Sequence, residues 1–197
     1  YGYDPEVLIV SADAPYNSLA EFLEIGKSKK ITVSTSGHST SHHIASLVLS
    51  ERASVEFTYL HNKGAAEQIQ QILGGHVDAT MMGISEAGEY IKNGILKSLG
   101  IMTAERDENF PNMPTFNEQG IEIEWGAFRG LAVPAETDPE VQKKLAAAFE
   151  GIINDEENAQ AMAKAGYPIT YRSPEEFRTY VLTVAESLDQ VMPSLTE

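Results

Sequence analysis

Residues 31–43 combine the residue types and the spacing best suited to binding chemistry in this chain. A β-branched run, Ile31–Val33, leads into a loop of serine, threonine, glycine and histidine, and an apolar helical pattern begins at Ile44. The first N–H groups of a helix lack acceptors within it and carry about half a positive charge. Small and hydroxyl-bearing residues let a ligand approach those donors. The stretch predicts a site for a carboxylate or phosphate, although the same residues are also typical of an ordinary helix N-cap.

The predicted ligand-binding residues come from three loops, each of which follows a predicted strand. The first loop supplies the preferred set, which is Ser36, Gly37, His38, Ser39, Thr40 and Ser41. The second supplies Lys63 and Gly64, and the third supplies Ser85. Ligands of parallel α/β folds gather at the carboxyl ends of the strands, where all three loops belong. Two alternatives stay open, since Lys63 also fits a solvated turn and Ser85 also fits a helix cap.

The histidines suggest a metal site as a second interpretation. His38 and His42 are four residues apart, and His61 or Asp78 could complete a ligand set. No His-Glu-x-x-His pattern supplies a catalytic carboxylate, however. A histidine that donates to a bound carboxylate fits better, and it would make the affinity depend on pH. We therefore predict no metal, no cofactor and no catalytic residue, and keep a metal-dependent hydrolase using His38 and His42 as an alternative function.

Charge and composition exclude several classes of partner. The formal net charge is −15, which argues against nucleic acid and anionic membrane surfaces as partners. The chain contains no cysteine, so neither a disulfide nor thiolate catalysis is available. No stretch approaches the roughly 18 apolar residues of a membrane-spanning helix, and the sequence contains no recognisable signal peptide.

Strand and helix patterns alternate through the first half of the chain, beginning with an apolar strand at Val7–Val10. Repeated strand–helix units with short connections predict an α/β fold with a doubly wound, mostly parallel sheet. Residues 103–126 are predicted to be irregular, with a short helix at Thr115–Gln119. The tail is predicted to hold one strand, Phe128–Val133, and three helices. These helices run from Thr137 to about Asn154, over Glu157–Ala165 with a stop at Gly166, and from Ser173 to about Met192.

Six blocks spread over most of the chain resemble one known family. The blocks are Ala14–Phe22, Thr35–His43, His61–Gly64, Leu73–Asp78, Pro111–Gly120 and Gly130–Ala135, with Arg106 and Trp125 between them. In order and spacing they resemble the substrate-binding proteins of tripartite tricarboxylate transporters, the Bug or TctC-like family. Two blocks depart from the family pattern. His61-Asn62 stands where Pro-Tyr is usual, and His38-Ser39 replaces the second half of a Gly-x-Gly-Ser motif, so the identity of the ligand is not carried over.

The resemblance implies a type II periplasmic-binding-protein fold of two lobes. Residues 10–126 are expected to form the ligand-binding lobe, and residues 1–9 with 127–197 to form crossing strands and the C-terminal part of the other lobe. The implied function is capture of a small organic anion between the lobes, namely a di- or tricarboxylate, an amino acid or an aromatic acid, for membrane permease subunits. A ligand-sensing domain of a signalling system is the other alternative.

The resemblance also implies a periplasmic or extracellular location, as a free protein or a lipoprotein. Family members carry an N-terminal segment that builds most of the first lobe, and this sequence is expected to begin after it. An apolar face left exposed on the tail is then expected to drive self-association.

Overall fold

A computed structural model gives the fold of residues 1–164, 167 and 169–188. Its contacts divide the chain into two compact units. The first, here named the sheet unit, is Pro5–Ala127, and the second, named the helical unit, joins Tyr1–Asp4 to the chain from Phe128 onward. The sequence placed these boundaries at 10–126 and at 1–9 with 127–197. That the sheet unit is the ligand-binding lobe stays a prediction.

A single sheet forms the centre of the sheet unit. Its strands are β1 (Gly2–Ser11), β2 (Ile31–Thr35), β3 (Phe57–His61), β4 (Ala79–Gly83), β5 (Leu96–Ile101) and β6 (Gly126–Arg129). The strand order is β3-β2-β4-β1-β5, and β6 pairs with β1. β2 pairs in parallel with β3 and β4. β1 runs antiparallel to β4 and β5, so β2 to β5 all point one way. The mostly parallel α/β sheet matches the prediction.

One strand direction was predicted wrongly. Val7–Val10 was placed first in a parallel series, but it lies in β1, which runs against its neighbours in the middle of the sheet. An apolar run indicates a buried strand without indicating its direction. The direction depends on which strands flank it, and these come from residues more than 70 positions further along the chain.

Four helices cover the two faces of this sheet, and they are α1 (Leu19–Gly26), α2 (Ser41–Ala53), α3 (Ala65–Leu73) and α4 (Ile84–Lys92). Alternate residues of β1 face opposite sides, as the two-residue period of a strand requires. Leu8 and Val10 pack in one core cluster with Phe22 of α1 and Leu49 of α2. Val7 and Ile9 pack in the other with side chains of α3 and α4. The sheet is therefore covered by helices on both faces.

Local signals set several helix boundaries. The predicted start of α1 is confirmed, since Ser18 is its N-cap and the Ser18 hydroxyl accepts from the N–H of Glu21. The segment between β5 and β6 holds a 3₁₀ turn at Asn117–Gln119 within the predicted Thr115–Gln119. β6 starts and ends earlier than the predicted strand Phe128–Val133.

The helical unit contains α5 (Pro139–Ile153), α6 (Glu156–Lys164) and α7 (Pro174–Leu188). Asp138 caps α5, with proline at the first helical position, where a missing N–H costs nothing. The predicted helix ends at Gly166 and Met192 lie outside the described residues. Large apolar side chains of this unit are exposed, among them Leu131, Phe149 and Ile152. Self-association through them stays a prediction. None of the described helices is both long and apolar enough to cross a bilayer.

Candidate functional site

The three predicted loops leave the sheet at the same edge. β2, β3 and β4 are parallel, and they end at Thr35, His61 and Gly83. The loops after β2 and β3 are in direct contact, because the backbone N–H of Asn62 donates to the carbonyl of Thr35 at 2.9 Å. The side-chain amide of Asn62 also donates to the hydroxyl of Ser34 at 2.6 Å. Ser36–Ser41 and Lys63–Gly64 are thus brought together.

The loop before α2 holds its own shape with its hydroxyl groups. The Thr40 hydroxyl donates to the carbonyl of Gly37 at 2.9 Å and accepts from Ser36 and from the N–H of His43. Thr40 is therefore the N-cap of α2. Gly37 has φ +139°, a conformation that residues with a side chain rarely adopt. Ser39 also has positive φ, at 58°. These residues shape the loop.

Some predicted donors in this loop are already engaged by the protein. The N–H of Ser39 donates to Nδ1 of His43 at 3.1 Å, and the Ser39 hydroxyl lies 2.7 Å from Nδ1 of His38. Thr40 caps the N–H of His43, as described. Within the described part of the chain, the backbone N–H groups of Ser41 and His42 have no acceptor. In the first turn of α2, the backbone N–H groups of Ser41 and His42 are therefore the ones available to a ligand.

The start of α3 offers a second set of donors. Gly64 is its N-cap, with φ +155° and no side-chain cap. The N–H of Lys63 donates to the carboxylate of Glu67 at 3.0 Å. Ala65 and Ala66 have no acceptor for their backbone N–H groups among the described residues. The exposed side chain of Lys63 adds a positive charge beside this helix start.

Ser85 occupies a different position from the one expected for a helix cap. Gly83 is the N-cap of α4, and Ser85 is the second residue of the helix. The alternative interpretation of Ser85 as a cap is therefore wrong. The N–H of Gly83 donates to the carboxylate of Glu86 at 3.2 Å, so Glu86 performs the capping.

Three histidines and a tyrosine form a cluster above the ends of β2 and β3. The ring centre of His43 lies 5.0 Å from that of His38, 4.6 Å from that of His61 and 4.7 Å from that of Tyr59. Burial, followed by the charges of His61 and His38, lowers the pKa of His43 to about 4. Burial and His38 also lower the pKa of His61. His43 is thus uncharged at neutral pH, accepts the Ser39 N–H on Nδ1 and carries its proton on Nε2.

His42 belongs to a separate buried network. Its Nε2 lies 3.2 Å from Oε2 of Glu86 and 3.8 Å from Oε2 of Glu6, and its Nδ1 lies 2.9 Å from Oε1 of Gln68. Burial lowers the pKa of His42, but the hydrogen bond to Glu86 and the charges of Glu6 and Glu86 outweigh it and raise that pKa to about 9. His42 is therefore an imidazolium at neutral pH.

The side chains proposed to bind a metal ion do not lie together. His38 and His42, the proposed pair, lie in different clusters. Asp78 bonds the N–H of Thr32 and the ammonium of Lys29. In the ranges that the structure covers, no three His, Asp or Glu side chains are arranged to hold a metal ion. The hydrolase using His38 and His42 is not supported by this arrangement.

Sequence comparisons give relatives over nearly the whole chain. Residues 2–191 match the family model described as "Tripartite tricarboxylate transporter family receptor". A UPF0065 protein from the gbd 5′ region of Cupriavidus necator is 27% identical over 95% of this chain. The chain spans 58% of that protein and 52% of a second UPF0065 protein, from Pseudomonas sp. strain P51.

Solved structures resemble this chain closely in fold. A TctC solute-binding protein from Polaromonas has a TM-score of 0.86 and 30% identity, over 98% of this chain and 67% of that one. The R. palustris protein Rpa4515, described with adipate, has a TM-score of 0.85 at 18% identity, over 99% and 66%. These neighbours confirm the predicted periplasmic-binding-protein fold, and the resemblance to the Bug and TctC-like proteins is confirmed as well. By its match over residues 2–191, the chain belongs to the family of tripartite tricarboxylate transporter receptors.

Proposed function

We propose that the chain is part of an extracytoplasmic solute receptor that captures a small organic carboxylate for a transporter of the tripartite tricarboxylate type. The observation that supports this proposal is the pair of open helix starts on neighbouring parallel strands. The backbone N–H groups of Ser41 and His42 on α2, and of Ala65 and Ala66 on α3, have no acceptor within the described residues. Such donors suit the oxygens of a carboxylate.

The binding must overcome the repulsion of a net charge of −15. Salt screens that field over about 10 Å, whereas hydrogen bonds from helix starts act at contact distance. Lys63 is exposed beside the second helix start and supplies the nearest formal positive charge among the predicted residues. His38 belongs to the first loop and the ring of His61 lies next to that of His38, so both rings can donate a further hydrogen bond there.

The ligand class is proposed more broadly than any single acid. The R. palustris neighbour is described with adipate, a dicarboxylate, but it is only 18% identical to this chain. This chain also carries His38-Ser39 and His61-Asn62 at two loops where ligands are proposed to bind. Di- and tricarboxylates, amino acids and aromatic acids are therefore all candidates. Binding and release involve no change in covalent bonds.

The proposed partners are the membrane permease subunits of such a transporter, and the proposed location is periplasmic or extracellular. The family description names a transporter receptor, which supports both parts of this proposal. Genes for a small and a large membrane subunit beside the gene for this chain are the expected genomic context.

A thermal-shift screen with adipate, citrate, glutamate and benzoate tests the proposal. An acid present at 100 times its dissociation constant stabilises the protein by about 2.7 kcal/mol. The matched control is dimethyl adipate, which keeps the carbon chain and lacks the charge. We expect a shift with at least one acid and none with the ester. No shift with any acid, or an equal shift with the ester, would contradict the proposed function.

A further inference from the structure

The buried network around His42 joins the first turns of three helices. His42 is the second residue of α2, Gln68 is the fourth of α3 and Glu86 is the third of α4. Each of these helices follows one of the parallel strands β2, β3 and β4. Glu6 reaches the same imidazole from β1. One side chain thus contacts groups from the starts of both other helices that carry predicted ligand-binding loops.

Gln68 ties this network to the sheet with every hydrogen-bonding group that its side chain has. Its Nε2 has two hydrogens, which donate to the hydroxyl of Thr80 at 2.7 Å and to the carbonyl of Met81 at 2.8 Å, with the carbonyl of Ser34 sharing one of them at 3.2 Å. Its Oε1 faces His42. Gln68 has no solvent exposure, so removing its side-chain amide would leave buried partners such as the Met81 carbonyl without this donor.

The charge of the His42 imidazolium is unfavourable for the helix in which it lies. A cation in the first turn of a helix opposes the helix dipole, and α2 has no acidic residue in that turn. Burying a charge also costs free energy, and replacing a buried ion pair by well-packed apolar residues often leaves the stability of a protein unchanged or higher. His42 is 5% exposed, so the carboxylates of Glu6 and Glu86 are needed to keep its charge inside the protein. Conflicts of this kind are expected where a residue serves function.

We propose that His42 is a positioning residue that couples the starts of α2, α3 and α4 through Gln68 and Glu86. The three predicted binding loops then keep one relative arrangement and respond together when the imidazole changes its charge. The purpose of the coupling rests on the proposed function, but its test needs no ligand.

The unmodified chain provides the first test, by carbon-detected NMR between pH 6 and 10.5. We expect the His42 ring and the backbone carbonyls of Ile44, Gln68 and Gly83 to titrate with one midpoint, near pH 9. Phe22, at the start of α1 outside the network, is the reference and should not follow that midpoint. Separate midpoints, or a response of Ile44 alone, would overturn the coupling.

Amide hydrogen exchange in His42→Gln provides the second test, with exposed His76→Gln as the matched control. The reporters are three N–H groups with defined acceptors, namely Ile44 to Thr40 at 3.0 Å, Gln68 to Gly64 at 3.3 Å and Gly83 to Glu86 at 3.2 Å. We expect all three to exchange at least about tenfold faster in His42→Gln, with Phe22 unchanged and with no effect of His76→Gln. Faster exchange at Ile44 alone, or an equal change at Phe22, would overturn the proposal.

A second pair of variants lies on a single helix. Gln68→Leu removes the central amide, whereas Gln70→Leu alters an exposed glutamine two residues away. We expect Gln68→Leu to speed exchange at both Ile44 and Gly83, and Gln70→Leu to speed neither. No change at Ile44 and Gly83 in Gln68→Leu would count against the coupling. If no acid binds, the proposed function is contradicted. The exchange and titration experiments use no ligand, so they still test the coupling.

Discussion

The Nδ1 atom of His42 lies 2.9 Å from Oε1 of Gln68, 26 residues further along the chain. Three acceptors surround the amide nitrogen of Gln68, so its oxygen must be the atom that faces the ring. An amide oxygen only accepts, and His42 Nδ1 therefore carries a proton. Nε2 faces the carboxylates of Glu6 and Glu86 and is protonated as well. This geometry accounts for an imidazolium buried at the start of α2.

The charge of His42 predicts that stability falls in mildly alkaline solution. The folded-state pKa, about 9, lies above the unfolded value of 6.5. The contribution is therefore fully present below pH 6.5 and is lost as the pH rises through about 9. Its size is on the order of 3 kcal/mol. Urea unfolding at a series of pH values from 6 to 9.5 should show this decline.

Two variants on α4 serve as the control for that measurement. Glu86→Gln removes a carboxylate 3.2 Å from the ring and should lower the His42 pKa and flatten the decline. Glu89→Gln changes an exposed side chain of the same helix and should keep the decline. A stability that stays level from pH 6 to 9.5 in the unmodified chain would show that His42 is not charged in the folded state.

Gly37 is expected to be intolerant of a side chain. Its φ of +139° is strained for alanine, and an added Cβ would lie 3.3 Å from the methyl group of Thr40. We expect Gly37→Ala to reduce the free energy of unfolding by about 1–3 kcal/mol. Gly151→Ala is the control, because Gly151 lies within α5 with open space around its Cα, and alanine there should add about 0.5–1 kcal/mol. Urea unfolding measures both, and a neutral Gly37→Ala would contradict the loop conformation.

Binding of an acid should strengthen as the pH falls from 7.5 to 5.5. Burial and His38 lower the pKa of His61, so a smaller fraction of the ring is charged before the ligand arrives than in an exposed histidine. A bound carboxylate favours the charged ring, and affinity therefore rises as the pH falls through the pKa of the bound state. Calorimetric titration at four pH values measures this. His61→Asn should remove most of the dependence, and exposed His76→Asn should keep it. Weaker binding at lower pH would contradict the account.

The sequence predicts those parts of the fold that depend on local signals. Ser18 with Glu21 and Asp138 with Pro139 locate helix starts, because caps depend on residues within one turn. The small residues of 36–41 likewise predict the loop before α2. In the structure, Ser39 and Thr40 hydrogen-bond to other groups of that loop and stabilise its shape. Residue type alone could not distinguish this role from ligand binding.

The buried network around His42 and the direction of β1 were not predicted, because both depend on contacts between residues far apart in the sequence. Glu6 directly precedes the apolar run Val7–Val10, and Gln68 lies on the apolar face of α3 beside Ile69 and Ile72. Both positions were signals of buried polar groups. Their partner could not be identified, since His42 comes from a third element. The antiparallel direction of β1 has the same origin, because it is fixed by β4 and β5.

Isothermal titration calorimetry on two variants of Ser41 tests most directly whether open backbone donors hold the ligand. Ser41 is the first residue of α2, where proline is well tolerated, and Thr40 has the extended conformation that precedes proline. Ser41→Pro removes one N–H and the hydroxyl, whereas Ser41→Ala removes the hydroxyl alone. A hydrogen bond to a charged group contributes about 1.5–3 kcal/mol, so we predict that Ser41→Pro weakens acid binding by about tenfold or more. Ser41→Ala should stay within about threefold of the unmodified chain, and equal affinities for all three proteins would contradict the account.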